Sequence, residues 1–530
     1  MRTRTIATHD EGWVRTSVGR RVGLAMVASA VALFGAVVAA PPAGAATILH
    51  VCASTCAYTS LADAVAAAHN GDTITLAPGT YAGGMTIDVS VNLRGAGAGS
   101  TVISGGGDHS VLTIGVLGDS WEPTVSIEGV TITGGTVRTS PESRAFIGED
   151  GVAAAGGGIE IPPNQDFSGG AIVTIRDSVI TGNRVAPSHT FAPPPDQADG
   201  WPACPSGPCP FGLAVGGGID SWGTVTLQRS TVSNNLVGSA SGLSDLASDA
   251  NGGAIDSVLA ALTVTQSTIS GNAATAAGPI ARFADAGGVF AEGGSLTIAN
   301  DSITNNSAVL HAQLPKSVDL LAVAGAVHVG GGVNSASVRD TTISDNLLEM
   351  TNSVGNANGF SGGLHNDGGI DMTISDVTEA NNRVRVSTLG ASTGNAAADS
   401  GAGEGQGLMT NVRLTGNSVV AYSVHGNAHA SAGAGVFAGT VTSSTITGND
   451  SRASAPHGFA DASGGALSVA GALTVRATVL DGNTTHASGN KGSALGGAIF
   501  ATRFPGGPPA GPIMLINSQV THNVASTTGL

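Results

Sequence analysis

Three acidic side chains recur at one point of a repeating pattern. Glu160, Asp220 and Asp256 each directly follow the isoleucine that closes a glycine-rich segment: GGGI at 156–159, GGGI at 216–219 and GGAI at 252–255. If Ile159, Ile219 and Ile255 point into a core from β-strands, alternation turns the three carboxylates outward. On neighbouring strands of a parallel sheet they would stand about 5 Å apart. Like charges at that spacing raise each other's pKa unless a cation sits among them. Such a row could be a calcium site made by Glu160, Asp220 and Asp256. It could equally be an acid/base pair near the separation used in double-displacement glycoside cleavage. A solvated acidic stripe without chemistry is the simplest reading of the same residues. Aromatic side chains gather beside the row, with Trp201 and Trp222 the candidate ligand platforms.

Such a row needs a scaffold that brings the same position of successive segments together. Each glycine-rich segment is followed by a β-branched run that ends shortly before an asparagine, as in VTIRDSVITGN ending at Asn183 and VTLQRSTVSNN ending at Asn235. Further copies end at Asn272, Asn306, Asn346, Asn382, Asn417, Asn449, Asn483 and Asn523, between 32 and 52 residues apart. A near-constant unit with occasional expansion marks one supersecondary element per repeat. Runs such as Leu262-Thr-Val-Thr alternate apolar and polar residues at the strand period. The repeats hold no helix-length amphipathic segment, which excludes helical solenoids. Three short strands per unit with glycine corners can close into one triangular coil. The expected fold class is therefore all-β, a single-stranded right-handed parallel β-helix, with the asparagines stacked as an internal ladder. Nearly all length variation falls between each asparagine and the next glycine pair, so long loops are expected on one corner of the coils.

Composition agrees. The chain has 80 glycines in 530 residues and a mean hydropathy of +0.22; solvated disordered chains lack the apolar residues to reach that value. Acidic residues outnumber basic ones, 37 to 21, and Lys316 and Lys491 are the only lysines. A phosphate backbone would be repelled, which argues against nucleic-acid binding, whereas a divalent cation would be attracted.

Residues 1–45 read as a signal peptide, with Arg20-Arg21, an apolar stretch from Val22 to Ala40, and the small triplet Ala43-Gly44-Ala45. A membrane anchor is the alternative, because the stretch approaches the roughly 18 residues a span requires. The alanine content and the cleavage-type triplet favour export, giving a secreted or cell-surface protein with no membrane span in the mature chain. Four cysteines in two close pairs, Cys52/Cys56 and Cys204/Cys209, then read as local disulfides. Residues 46–110 form an N-terminal cap and first coils, and 111–530 the repeats. Within the cap, Leu61, Val65 and Ala68 share one face of a short helix that starts at Ser60 and stops at Asn70-Gly71. No equivalent cap follows Asn523, so the last coil is expected to be open. Either a partner covers it, or the chain continues in a longer product.

The cap segment LADAVAAAHNGDTITLAPGTY resembles the N-terminal opening of the pectin lyase-like β-helix superfamily. The repeats resemble the Gly-Gly-Ala-Ile and Phe-x-x-Asn motifs of polymorphic outer-membrane proteins. Here Ile, Val or Leu replaces the phenylalanine, as in Ile180-Thr-Gly-Asn183. The resemblance covers about residues 50–525 and implies the fold; for function it implies only a range from lyases and hydrolases to adhesins. Polygalacturonase-like hydrolysis needs paired carboxylates and a basic clamp, yet the chain has no Asp-Asp pair and no Arg-x-Lys segment. Arg176, Arg339 and Arg476 fall at equivalent positions in non-adjacent repeats, which suits separate solvated residues. The sequence therefore favours a non-enzymatic extracellular adhesion or glycan/protein-binding solenoid, partnered by an extracellular polysaccharide or a cell-surface protein. The alternative is a calcium-assisted polysaccharide lyase or glycoside hydrolase. Calcium is the one cofactor the pattern accommodates.

Overall fold

The structure, a computed structural model, describes residues 46–138, 152–186, 203–204, 207–208, 213–238, 249–278, 281–314, 320–367, 369–390, 394–469, 471–501 and 511–529. Residues 1–45, read above as a signal peptide, lie outside them, as do Trp201 and Cys209, and Cys204 is described in its backbone alone.

The described chain is a parallel β-helix. Its strands form three long sheets of 24, 19 and 13 strands, plus one small hairpin at Ala203–Cys204 and Gly207–Pro208. A single coil shows the plan. Ile255–Val258 and Ala261–Thr265 lie in the first sheet, Thr268–Ser270 in the second, and Ala273–Gly278 and Phe283–Asp285 in the third. The chain then turns at Gly287-Gly288 into Val289–Glu292, which pairs with Ile255–Val258 one coil back. The 13-stranded sheet carries one strand per coil, so stacking begins well before the first ladder asparagine, Asn183.

Two details depart from the sequence reading. A coil holds two strands on each of two faces and one on the other, rather than three strands in all. The length variation also sits within the third sheet, between its two strands, rather than at a corner. Where the insertion is absent, one continuous strand spans that face, as Asp450–Ser463 does.

Alternation fills the interior. Ile180, Val232, Ile269, Ile303 and Ile343 stack in register up the second sheet and are fully buried. Burying each such side chain contributes about 1.5–3 kcal/mol. The asparagines form a continuous ladder beside them. Asn235 Nδ2 donates to Asn272 Oδ1 at 3.0 Å and to the Ile180 carbonyl at 3.0 Å, while its Oδ1 accepts from both Asn183 Nδ2 and the Asn183 backbone N–H. Every polar atom of the buried amide is thereby satisfied, and the pattern continues to Asn523.

The glycine corner separates two requirements. Its first residue has positive φ, 63° at Gly252, and alanine tolerates the place in Ala286 (46°) and Ala324 (50°). Its second residue is always glycine because the coils meet there. A Cβ on Gly253 would lie 2.2 Å from the Gly287 carbonyl of the next coil.

At the N-terminal end, Leu61–Ala67 is helical, with Ser60 Oγ accepting from the Asp63 N–H at 3.1 Å. Leu61, Ala64 and Val65 bury against the first coil. A Cys52–Cys56 disulfide, with Cα atoms 5.5 Å apart, braces the strand leading into this cap. At the other end, Leu515, Val520 and Val524 are about half exposed. Among the described residues no helix is long and apolar enough to cross a membrane.

Candidate carboxylate–histidine site at the glycine corner

Strand register places the three acidic residues in one column. Glu160 pairs with Asp220, Asp220 with Asp256, and the column continues through Phe290, His328 and His365. Their neighbours Ile159, Ile219 and Ile255 are fully buried in the core, so alternation turns the column away from it.

The column is not a solvated stripe. Asp220 is 4% exposed and Asp256 2%. The cause is the corner itself. Side chains that face away from the core on the last strand of the third sheet converge with those on the first strand of the first sheet. Asp285, on the strand before the corner, reaches His328 in the next coil, with Oδ2 2.6 Å from Nδ1. Asp249 lies on the same flank, 3.7 Å from the Arg282 guanidinium. Residues called outward by alternation are thus enclosed by a second wall.

Enclosure sets the electrostatics. Burial, and then the charge of Glu160, pushes the Asp220 carboxyl well above its ordinary range. Asp256 is raised in the same direction by burial, then by Asp220, Glu292 and Asp285. Asp256 Oδ1 has no hydrogen-bond partner. Glu160 is less enclosed and accepts a hydrogen bond from Ser110 Oγ at 3.2 Å. Asp220 and Asp256 therefore hold protons at a pH where ordinary aspartates are ionised, with their Cβ atoms about 5 Å apart by strand spacing.

His328 behaves oppositely. Burial alone would lower its pKa, but Asp285 and Asp367 overcome that and push it to about 10. Its Nε2 faces Asp367 Oδ1 at 3.2 Å. His365, in contact with His328 at a ring-centroid distance of 4.9 Å, is driven down to about 3 by burial and then by the His328 charge. Ser361 Oγ meets its Nδ1 at 3.1 Å. Phe290 packs edge-on against His328, with centroids 5.2 Å apart. One ligand atom each from His328, His365 and Asp367 falls within a 4.8 Å cluster.

Trp222 stands at the end of the Asp220 strand, half-buried and edge-on to Phe167 with centroids 6.3 Å apart. The arginines named above, Arg176, Arg339 and Arg476, share one column of the other strand of the first sheet. They occupy separate coils, with Gln228, Thr265 and Ala299 intervening between the first two.

Asp285, His328, His365 and Asp367 escaped the sequence reading, although a signal was present. His328 and His365 directly follow the apolar residue of Gly325-Ala-Val and Gly362-Gly-Leu, the position that holds Glu160 four coils before His328. Extending the acidic row past Asp256 would have reached both. Asp285 carries no such mark, because only the corner's geometry brings it to His328.

No family model matches the chain, and none of the curated proteins does. The motif resemblance to polymorphic outer-membrane proteins thus has no family match behind it. Among solved structures the chain is similar to the Agl-KA catalytic domain, at 11% identity and a TM-score of 0.31, covering 84% of this chain and 63% of that one. It therefore spans less than two thirds of that domain. It is also similar to PfbA, a surface adhesin of Streptococcus pneumoniae (12% identity, TM-score 0.23, 87% of each chain). A third likeness is to the A-module of the Azotobacter vinelandii mannuronan C-5 epimerase AlgE4 (12%, TM-score 0.21, 88% of this chain and 93% of that one). These likenesses concern the fold and assign no role to any residue here. The class defined by fold and site together is a parallel β-helix with a buried carboxylate–histidine column along one glycine corner.

Proposed function

We propose that this protein is a glycoside hydrolase acting on a neutral, extended polysaccharide, with Asp220 and Asp256 as its acid/base pair. The observation that supports this is the burial of two in-register aspartates whose carboxyls are both held above the ordinary range. A surface meant only to adhere gains nothing from enclosing like charges, which costs stability. A hydrolase needs such enclosure, because it keeps one carboxyl protonated as the acid while its neighbour serves as the base or nucleophile.

The shape of the column favours a linear polymer. It advances by about 4.8 Å per coil, a linear row rather than a round pouch, with the half-buried Trp222 beside it as an apolar surface. The charge favours hydrolysis over elimination. A lyase must neutralise the uronate carboxylate of its substrate, whereas Glu160, Asp220, Asp256 and Asp285 make this wall acidic. This reading departs from the adhesin favoured by sequence alone, a preference that followed from the uniform repeats and the lack of a complete catalytic set in them.

The test is a screen of neutral and uronate-containing polysaccharides, reading new reducing ends and unsaturated products. Reducing ends from a neutral glycan, without unsaturated sugar, are expected. Tight binding to glycans with no cleavage of any would instead support adhesion.

A further inference from the structure

The His328–His365–Asp367 cluster uses none of the proposed acid/base pair. His328 and His365 are register neighbours on adjacent strands, and Asp367 lies two residues beyond His365. The geometry points to a divalent transition-metal site of the class to which zinc belongs, ligated by His328, His365 and Asp367. This site stands independently of the hydrolase reading.

Two observations carry it. The first is that both imidazoles are oriented through Nδ1, His328 by Asp285 Oδ2 at 2.6 Å and His365 by Ser361 Oγ at 3.1 Å. A carboxylate on the far nitrogen is how proteins fix the ring and tautomer of a metal-bound histidine. The second is His328 Nε2, which is fully buried and makes no hydrogen bond, although Asp367 Oδ1 is 3.2 Å away. A buried ring nitrogen left in that state calls for an explanation. An ion between the two atoms would bond to both.

The donor set selects the metal. Two imidazole nitrogens and one carboxylate suit zinc and its neighbours in the first transition row. Calcium, which takes about six to eight oxygen ligands, is poorly served. Three protein ligands leave a coordination position open. Asp367 is 54% exposed at the edge of the cluster, giving an ion a route in from solvent.

The test uses the full chain after chelator treatment. Calorimetric titrations with Zn2+ and with Ca2+ are compared, and Co2+ is added to read the visible absorption of a nitrogen-ligated ion. One Zn2+ per chain, a higher melting temperature and a Co2+ band are expected. His365→Ala and Asp367→Asn should each remove the band and weaken Zn2+ binding at least about 10-fold, and Asp285→Asn should weaken it about 10- to 100-fold. Asp367 lies at the surface, so its variant tests the site even if His365→Ala fails to fold. Asp220→Asn should leave Zn2+ binding unchanged, which separates this site from the hydrolase reading. Absence of stoichiometric Zn2+ binding, Ca2+ binding of equal strength, or unaltered Zn2+ binding in Asp367→Asn would overturn the assignment.

Discussion

Asp285 and His328 belong to different coils and different sheets, yet Oδ2 of one lies 2.6 Å from Nδ1 of the other, and both are buried. The contact exists because a left-handed residue, Ala286, followed by Gly287, folds the third sheet back toward the first. Glycine corners are usually read as punctuation. Here the corner is also the device that turns two outward-facing rows into an enclosed wall.

Removing one partner of this pair leaves the other charged or unsatisfied in a buried setting, which costs about 3–5 kcal/mol. Asp285→Ala in metal-free protein should lower the free energy of urea unfolding by that order. A loss below about 1 kcal/mol would mean that solvent already reaches the pair.

The ladder makes a graded prediction. Asn306→Ala removes the acceptor for the Asn272 side chain and backbone, the donor to Asn346, and the donor to the Ile269 carbonyl. Each buried group left unpaired costs about 1–3 kcal/mol, so the total should be several kcal/mol. Asn523→Ala, at a part-exposed terminal rung, should cost less. Equal losses at both positions would contradict the account.

One coil breaks the interior pattern. Glu379 occupies the core position held by Ile343 and Leu414 in the adjacent coils, is 1% exposed, and neither carboxyl oxygen has a hydrogen-bond partner. Burial pushes its pKa up to about 8. A raised carboxyl pKa means that the unfolded chain ionises first. Stability should therefore fall by about 1.4 kcal/mol per pH unit from the ordinary glutamate pKa up to about 8, and level off above it. Glu379→Leu should stabilise the protein, with a larger gain at about pH 9 than at about pH 5. Chemical denaturation at both pH values checks this, and a pH-independent difference would count against a buried neutral carboxyl.

Asp256 carries the same sign for a different reason. Its carboxyl is raised by burial and then by its acidic neighbours, so the folded state is penalised increasingly as pH rises above the ordinary aspartate range. Asp256→Asn should raise the melting temperature at neutral pH while removing activity. Destabilisation by this substitution would show that the charge is held by a favourable partner instead.

Much of the fold was legible because its signal is repetitive. Ten asparagines at similar intervals fix where coils begin, and Ile-rich alternation fixes which face is inside. The site was half legible. Glu160, Asp220 and Asp256 share a motif position, so their alignment into a column followed from periodicity alone. Their burial did not, since it depends on how the glycine corner bends the flanking strand toward them. Asp285 and Glu379 were invisible for related reasons. The first acts across a corner, and the second contradicts the pattern that located everything else.

In the proposed hydrolase, Asp220 and Asp256 act as an enclosed acid/base pair. The most direct measurement is kcat for reducing-end release from a neutral polysaccharide by the wild type, Asp220→Asn and Asp256→Asn, with melting temperatures recorded alongside. Losses of about 10²–10⁴-fold in kcat in both variants, without loss of the folded state, are expected. Variants that cleave as fast as the wild type, or that change KM alone, would contradict it.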